Sequence, residues 1–299
     1  MAMLAYMGWG AKHTEAGPYQ QPLIKAVDWM VQHVEKKGDL RPSKGGNYMY
    51  DHGIAAIAVA EAYSLTKDPR LRPVVERIVD FTVRAQNPKT GGWRYSPYGE
   101  KGYNDRGDLS VTGWQIMALK SAQIGGVPVP AETFDRARGF MDLVGGGRNK
   151  GTYGYYTSND PTSAMVAEGM FVQQLLGVPP TDPRMDESAR FLERELPSPR
   201  QVSYNYYFWY YGCLAMHQHQ GPVWERWNAR LRPILLKGQI DRSDRSDLDG
   251  SWDPAGQWGS NAGRCVVTAM AALSLEVYYR YLPLYTPAWA EAGTELEKK

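Results

Sequence analysis

The sequence predicts an all-α fold, an α/α toroid with about six inner and five to six outer helices. Three observations predict it. Helices that are apolar nearly all round alternate with helices that are apolar on one stripe only. The apolar ones recur roughly every 40 to 60 residues. The connections between them are short and marked by Pro or Gly.

A helix apolar on every side must be covered on every side, whereas a striped helix covers it and faces water. Alternating the two therefore builds an inner and an outer layer, and closing the layers hides the end faces that an open solenoid would expose. The expected elements follow in chain order. MLAYMGWGAKH at the start reads as the remnant of an inner helix. Gln21–Lys37 is striped, and an inner helix begins near Asp51 (DHGIAAIAVAEAYSL). Pro69–Gln86 places Leu71, Val74, Val75, Ile78, Val79 and Val83 on one face at helical spacing. Inner helices then begin near Asp108, Thr162, Tyr204 and Gly263. Striped ones cover Ala131–Val144, Pro183–Glu195 and Val223–Leu236. Strand content is expected to be negligible. The Pro-marked linkers at 128–130, 179–183 and 197–199 are short, so residues 1–299 read as one domain.

Composition narrows the function. The 299 residues are 43% hydrophobic and 22% charged, which excludes a disordered tail or a disulfide mini-scaffold. A net charge of +2 gives no argument for nucleic acid or an acidic membrane surface, and no nucleic-acid partner is expected. The longest stretch without Asp, Glu, Lys or Arg, 201–224, carries Asn205, His217, Gln218 and His219, so no transmembrane segment is expected. Met1–Gly10 lacks the basic region and cleavage site of a signal peptide. Its abrupt apolar start reads as a domain cut from a longer, exported or anchored precursor, which leaves the compartment open. Cys213 and Cys265 form no CxxC. Ten Trp and 20 Tyr against 6 Phe favour rings with a polar tip, suited to a wet wall or a recognition surface.

Gln86–Trp93 reads QNPKTGGW after a striped helix. It resembles the Gln…Gly-x-Trp repeat of squalene and oxidosqualene cyclases. Gln32…Gly38-Asp39-Leu40 keeps the spacing with Leu for Trp, and Gly151-Thr152-Tyr153 has Tyr for Trp. Gly250-Ser251-Trp252 keeps Gly-x-Trp, with Gln239 farther upstream. Together with the alternation, the chain is similar to the prenyltransferase and squalene-oxidase repeat superfamily, whose members form α/α toroids. The resemblance implies chemistries that the residues then test. The cyclase acid is the middle Asp of Asp-x-Asp-Asp; the matching segment is Asp108-Leu109-Ser110-Val111, with Ser at the proton-donor position. Prenyltransferases hold zinc with Asp-x-Cys and a distant His, but Tyr211 and Gly263 precede the two cysteines. His217 and His219 point to different sides of a helix. A thioester run is absent around both cysteines. No metal or other cofactor is expected.

In a toroid the inner-helix starts gather at one mouth, where ligands bind. Asp108 and Asp51, with His52 beside Asp51, are the candidate acid–base residues. Tyr50, Trp114, Tyr204, Asn205, Tyr206, Tyr207, Trp209, Trp258 and Arg264 are the candidate ligand-binding residues. Asp105 and Ser203 also fall at the mouth. Tyr204, Tyr207, Phe208 and Tyr211 are expected to share one helix face. An aromatic wall with Asn suits an apolar ligand, a sugar ring or a peptide segment. The expected function is therefore a ligand- or partner-binding scaffold. An atypical terpene cyclase or a carbohydrate-active toroid is the alternative. Asp247-Leu248-Asp249-Gly250 fails a calcium-loop pattern at both ends.

Overall fold

A computed structural model describes residues 1–41, 49–100, 106–200, 204–242, 244 and 247–278. It is predominantly helical. The helices are α1 (Ala2–Gly8), α2 (Gln20–His33), α3 (Met49–Thr66), α4 (Arg72–Arg84), α5 (Leu109–Ile124), α6 (Ala131–Val144), α7 (Ser163–Leu175), α8 (Pro183–Glu193), α9 (Tyr206–His219), α10 (Gly221–Gly238) and α11 (Gly259–Leu275). Between α6 and α7 runs a minimal antiparallel hairpin, β1 (Gly145–Gly146) and β2 (Thr152–Tyr153).

The two helix types alternate as the periodicity requires. α5 and α9 are buried on nearly every side. α4 buries Val74, Val75, Ile78, Val79, Phe81 and Thr82 and turns its charges outward. The odd-numbered helices pack in succession: α3 on α5, α5 on α7, α7 on α9, α9 on α11, α11 on α1, and α1 on α3. Each even-numbered helix lies against two odd ones, α4 on α3 and α5, α8 on α7 and α9. One continuous apolar cluster runs from Met3 to Val277.

Side-chain caps start α5, α7 and α9. Asp108 accepts from the Val111 N–H, Thr162 from Met165 and Asn205 from Phe208. The last cap corrects one expectation. Asn205 is extended, so Tyr204 lies outside α9 and packs on Tyr206 and Trp209. Phe208 meets Trp227 of α10, whereas Tyr207 and Tyr211 meet Trp114. The four rings do not share a face. α11 also starts earlier than Gly263, at Gly259, and breaks at Gly263, where φ is 77°.

The Gly-x-Trp segments act as clasps. Gln86 donates from Nε2 to the Gly91 carbonyl at 2.8 Å, and Trp93 Nε1 donates to Thr82 O at 2.7 Å. The Trp93 N–H reaches Thr112 Oγ1 on α5 at 3.0 Å. The last copy repeats every bond. Gln239 Nε2 donates to Gly250 O at 2.9 Å, Trp252 Nε1 to Leu235 O at 2.8 Å, and the Trp252 N–H to Thr268 Oγ1 at 3.1 Å. The longer Gln–Gly separation is taken up by the residues between them, and the geometry survives. Glycine is required where the clasp meets the next striped helix. A Cβ on Gly38 would sit 1.9 Å from Arg77 O, and one on Gly91 would sit 1.8 Å from Arg136 O.

Candidate functional site

Tyr50, Ser110 and Tyr207 are each the second residue of their helix, and their side chains or backbones meet. The Tyr50 and Ser110 hydroxyls are hydrogen-bonded, and the Tyr207 hydroxyl lies 3.4 Å from the Ser110 carbonyl. The starts of α3, α5 and α9 therefore lie together at one end. Ser110 Oγ also donates to Asp108 Oδ1 at 2.6 Å.

Asp108 is fully buried and committed. Oδ1 accepts from Ser110 Oγ and from the Val111 N–H at 2.9 Å, and Oδ2 accepts from Arg94 Nη1 at 2.5 Å. Burial pushes its carboxyl above the ordinary range, against the pull of the Ser110, Arg94 and Val111 donors. Burial lowers the Arg94 guanidinium, but its hydrogen bonds to Asp108 and Tyr155 reverse that and leave it above its usual value. Arg94 lies over Tyr95 at 4.2 Å and Tyr156 at 4.6 Å, and it donates to the Tyr155 hydroxyl at 3.0 Å. Tyr95 and Tyr155 are joined through their hydroxyls at 2.5 Å.

Glu168, in mid-α7, has no exposed surface. Its Oε2 accepts from the Tyr207 hydroxyl at 2.7 Å, and its Oε1 has no hydrogen-bond partner among the described residues. Gly113 of α5 makes the space for it, since a Cβ there would lie 2.1 Å from Oε1. Burial pushes the Glu168 carboxyl well above its ordinary 4.5. The Tyr207 hydrogen bond opposes the shift, the Asp108 charge adds to it, and the Tyr211 hydroxyl opposes it.

Aromatic rings fill the space behind these groups. Trp114 of α5 stacks on Tyr210 at 5.8 Å and meets Tyr211 edge-on at 5.4 Å and Tyr207 at 6.3 Å, all on α9. Trp114, Tyr210 and Tyr211 are buried and Tyr207 is half-buried.

The other expected site residues separate. His52 is buried away from this cluster, although it stands only two residues after Tyr50, because two residues turn a helix by about 200°. Its Nδ1 accepts from the Leu40 N–H at 3.2 Å and its Nε2 pairs with Thr82 Oγ1 at 2.9 Å. Burial pulls its imidazole down to about 4. That contact matches Trp93 N–H to Thr112 and Trp252 N–H to Thr268, so His52 is the first clasp's acceptor. Asp51 is half-buried in the first turn of α3. Tyr204, Tyr206 and Trp209 form a second aromatic group, and Asn205 Nδ2 donates to Gln257 at 3.0 Å. Trp258, beside Gln257, is 59% exposed and left-handed at φ 64°. Arg264 pairs with Asp253 at 2.5 Å and reaches Ser251 at 3.1 Å. Asp105 and Ser203 lie outside the described residues.

Sequence reasoning missed Arg94, Tyr95, Tyr155 and Glu168. A signal was present for two of them. Tyr95 and Tyr155 each stand two residues after the aromatic position of a Gly-x-Trp or Gly-x-Tyr copy. Among the described residues no group of three or more His, Cys, Asp or Glu side chains could hold a metal, and no helix is long and apolar enough to cross a membrane. No family model matches the chain, and a search of curated proteins found no match.

Proposed function

We propose that this chain is an α/α toroid of the squalene-cyclase and prenyltransferase repeat type that serves as a binding scaffold and not as a cyclase. The contact order of the odd-numbered helices, returning from α11 to α1, supports the closed arrangement. The repeated Gln–Gly–Trp clasps support the kinship.

One observation carries the scaffold reading. Trp114 on α5 touches three tyrosines of α9, a helix that is not its packing neighbour in the succession. Rings that meet across the middle leave little room for a substrate at that level. Asp108 adds to this. A carboxyl that protonates an alkene must carry a proton, and both Asp108 oxygens already accept from donors, one of them a guanidinium. The ligand classes open to such a scaffold are a peptide segment of a partner, then a small apolar or sugar-like molecule.

A second reading has one observation in its favour. Glu168 is a fully buried carboxyl that burial pushes toward holding its proton, the direction a general acid needs. An atypical isoprenoid cyclase or a glycan-cleaving enzyme would use it. The test is incubation with squalene, isoprenoid diphosphates and oligosaccharides, read by product analysis and thermal shift. The scaffold reading expects no conversion. Conversion of an isoprenoid that disappears in Asp108→Asn or Glu168→Gln would overturn it.

A further inference from the structure

A groove of about 330 Å³ lies along one face of α10, away from the aromatic middle. Its floor is apolar: Pro197 from the segment after α8, Tyr204 before α9, and Pro233 and Ile234 of α10. Arg230 and Lys237 also line it. Both are exposed, and neither has an ion-pair partner among the described residues. By contrast Arg226, one turn earlier, is paired with Glu193 of α8.

The spacing is informative. Arg230, Pro233, Ile234 and Lys237 follow the i, i+3, i+4, i+7 rule, so one face of α10 reads basic, apolar, basic over about 10 Å. Pro233 has no N–H, so it cannot donate to the carbonyl of Ala229, which also lines the groove. The groove thus presents two free cations, an apolar centre and a backbone acceptor without its helical donor.

We propose that this groove docks an amphipathic acidic helix of a partner protein. Its carboxylates, seven residues apart, would meet Arg230 and Lys237, and its apolar residues between them would cover Pro233 and Ile234. Charge complementarity decides the occupant: an uncharged peptide leaves both cations without partners, and a basic one is repelled. A helix is the form whose repeat matches that of α10, because its i and i+7 positions share a face at the same rise. The assignment rests on the scaffold reading above and names its partner class.

The probe is a fluorescein-labelled, alanine-based helical peptide with Glu at two positions seven apart and Leu three and four residues after the first. Its anisotropy is followed against the full chain. Saturable binding is expected, weaker at high salt. Arg230→Glu combined with Lys237→Glu should weaken it roughly tenfold, and a peptide with Lys in place of both Glu should recover affinity for that variant. Both positions are exposed, and an unchanged melting temperature verifies that the variant folds. No binding, binding indifferent to charge reversal, or capture instead by anionic phosphatidylserine vesicles through the same two cations would overturn the proposal. Isoprenoid turnover by the wild-type chain would overturn the scaffold reading whatever the peptide does. A silent peptide without turnover removes the groove assignment alone.

Discussion

Trp114 stacks on Tyr210 with centroids 5.8 Å apart and planes within 11°, although α5 and α9 are separated by α7 in the order of packing. That contact ties two helices that do not pack side by side, and its removal has a definite consequence. Trp114→Ala should cost about 3–5 kcal/mol, the range for emptying a buried tryptophan site. It should also create an apolar void that binds small apolar molecules. Calorimetry with and without benzene checks both; an unchanged melting temperature would show that the middle is not packed.

Glu168 makes stability fall as pH rises above the ordinary carboxylate range. Its folded carboxyl titrates well above the ordinary 4.5, so the native state holds a proton that the unfolded chain has released. Stability therefore falls as pH rises from about 4.5 toward the folded value. Glu168→Gln, which mimics the neutral form, should flatten that slope and be the more stable protein at pH 8. Denaturant midpoints across pH 4 to 9 give the comparison, and parallel curves would count against it.

His52 acts in the opposite direction. Its folded value of about 4 lies below the ordinary 6.5, so the unfolded chain binds the extra proton. Stability is full above pH 6.5 and is lost as pH falls toward 4, by about 3 kcal/mol if the whole shift is realised. NMR titration of the His52 ring, together with melts of His52→Gln, tests this. A ring titrating near 6.5 in the folded protein would refute it.

The two glutamine clasps should differ in worth. Gln86 is buried, donates to Gly91 O and Thr133 O, and accepts from Arg136. Gln86→Ala should cost about 2–3 kcal/mol. Gln239 is exposed and its side-chain bond to Gly250 O is made in water, so Gln239→Ala should cost about 0.5 kcal/mol. Equal losses in urea unfolding would mean that burial does not set the difference.

Asp108 and Arg94 should be strongly coupled. Asp108→Asn leaves a guanidinium, itself mostly buried, without its counter-charge, at a cost of about 3–5 kcal/mol. Pairing it with Arg94→Met should recover much of the loss. A double-mutant cycle by chemical denaturation measures this; simple additivity would argue that the pair is not an energetic unit.

Much of the helical frame was legible because periodicity and capping are local. Ala131–Val144 was read with both ends correct, and Asp108 and Thr162 mark their helix starts. What local pattern misses is backbone that departs from it. Asn205 is extended and puts Tyr204 outside α9, and Gly263 at positive φ interrupts α11 after four residues have already formed. The site was less legible for a different reason. Asp108 was found, but its partner Arg94 comes from a loop, and Glu168 reads in sequence as the one charged residue on a mostly apolar helix. His52 looked like an acid–base partner for Asp51 because adjacency in the chain says nothing of direction. Thr82 and the Leu40 N–H claim it instead.

The clasp around Trp252 closes the same bonds as the one around Trp93 despite a longer span between its glutamine and glycine. In each clasp the tryptophan grips a carbonyl four residues before the glutamine and the glutamine grips one two residues before the tryptophan, so the two bonds cross and pin both ends whatever number of residues is looped out between them. A connection pinned at both ends in this way can differ in length from copy to copy without unseating α10 from the stretch of chain that leads into α11.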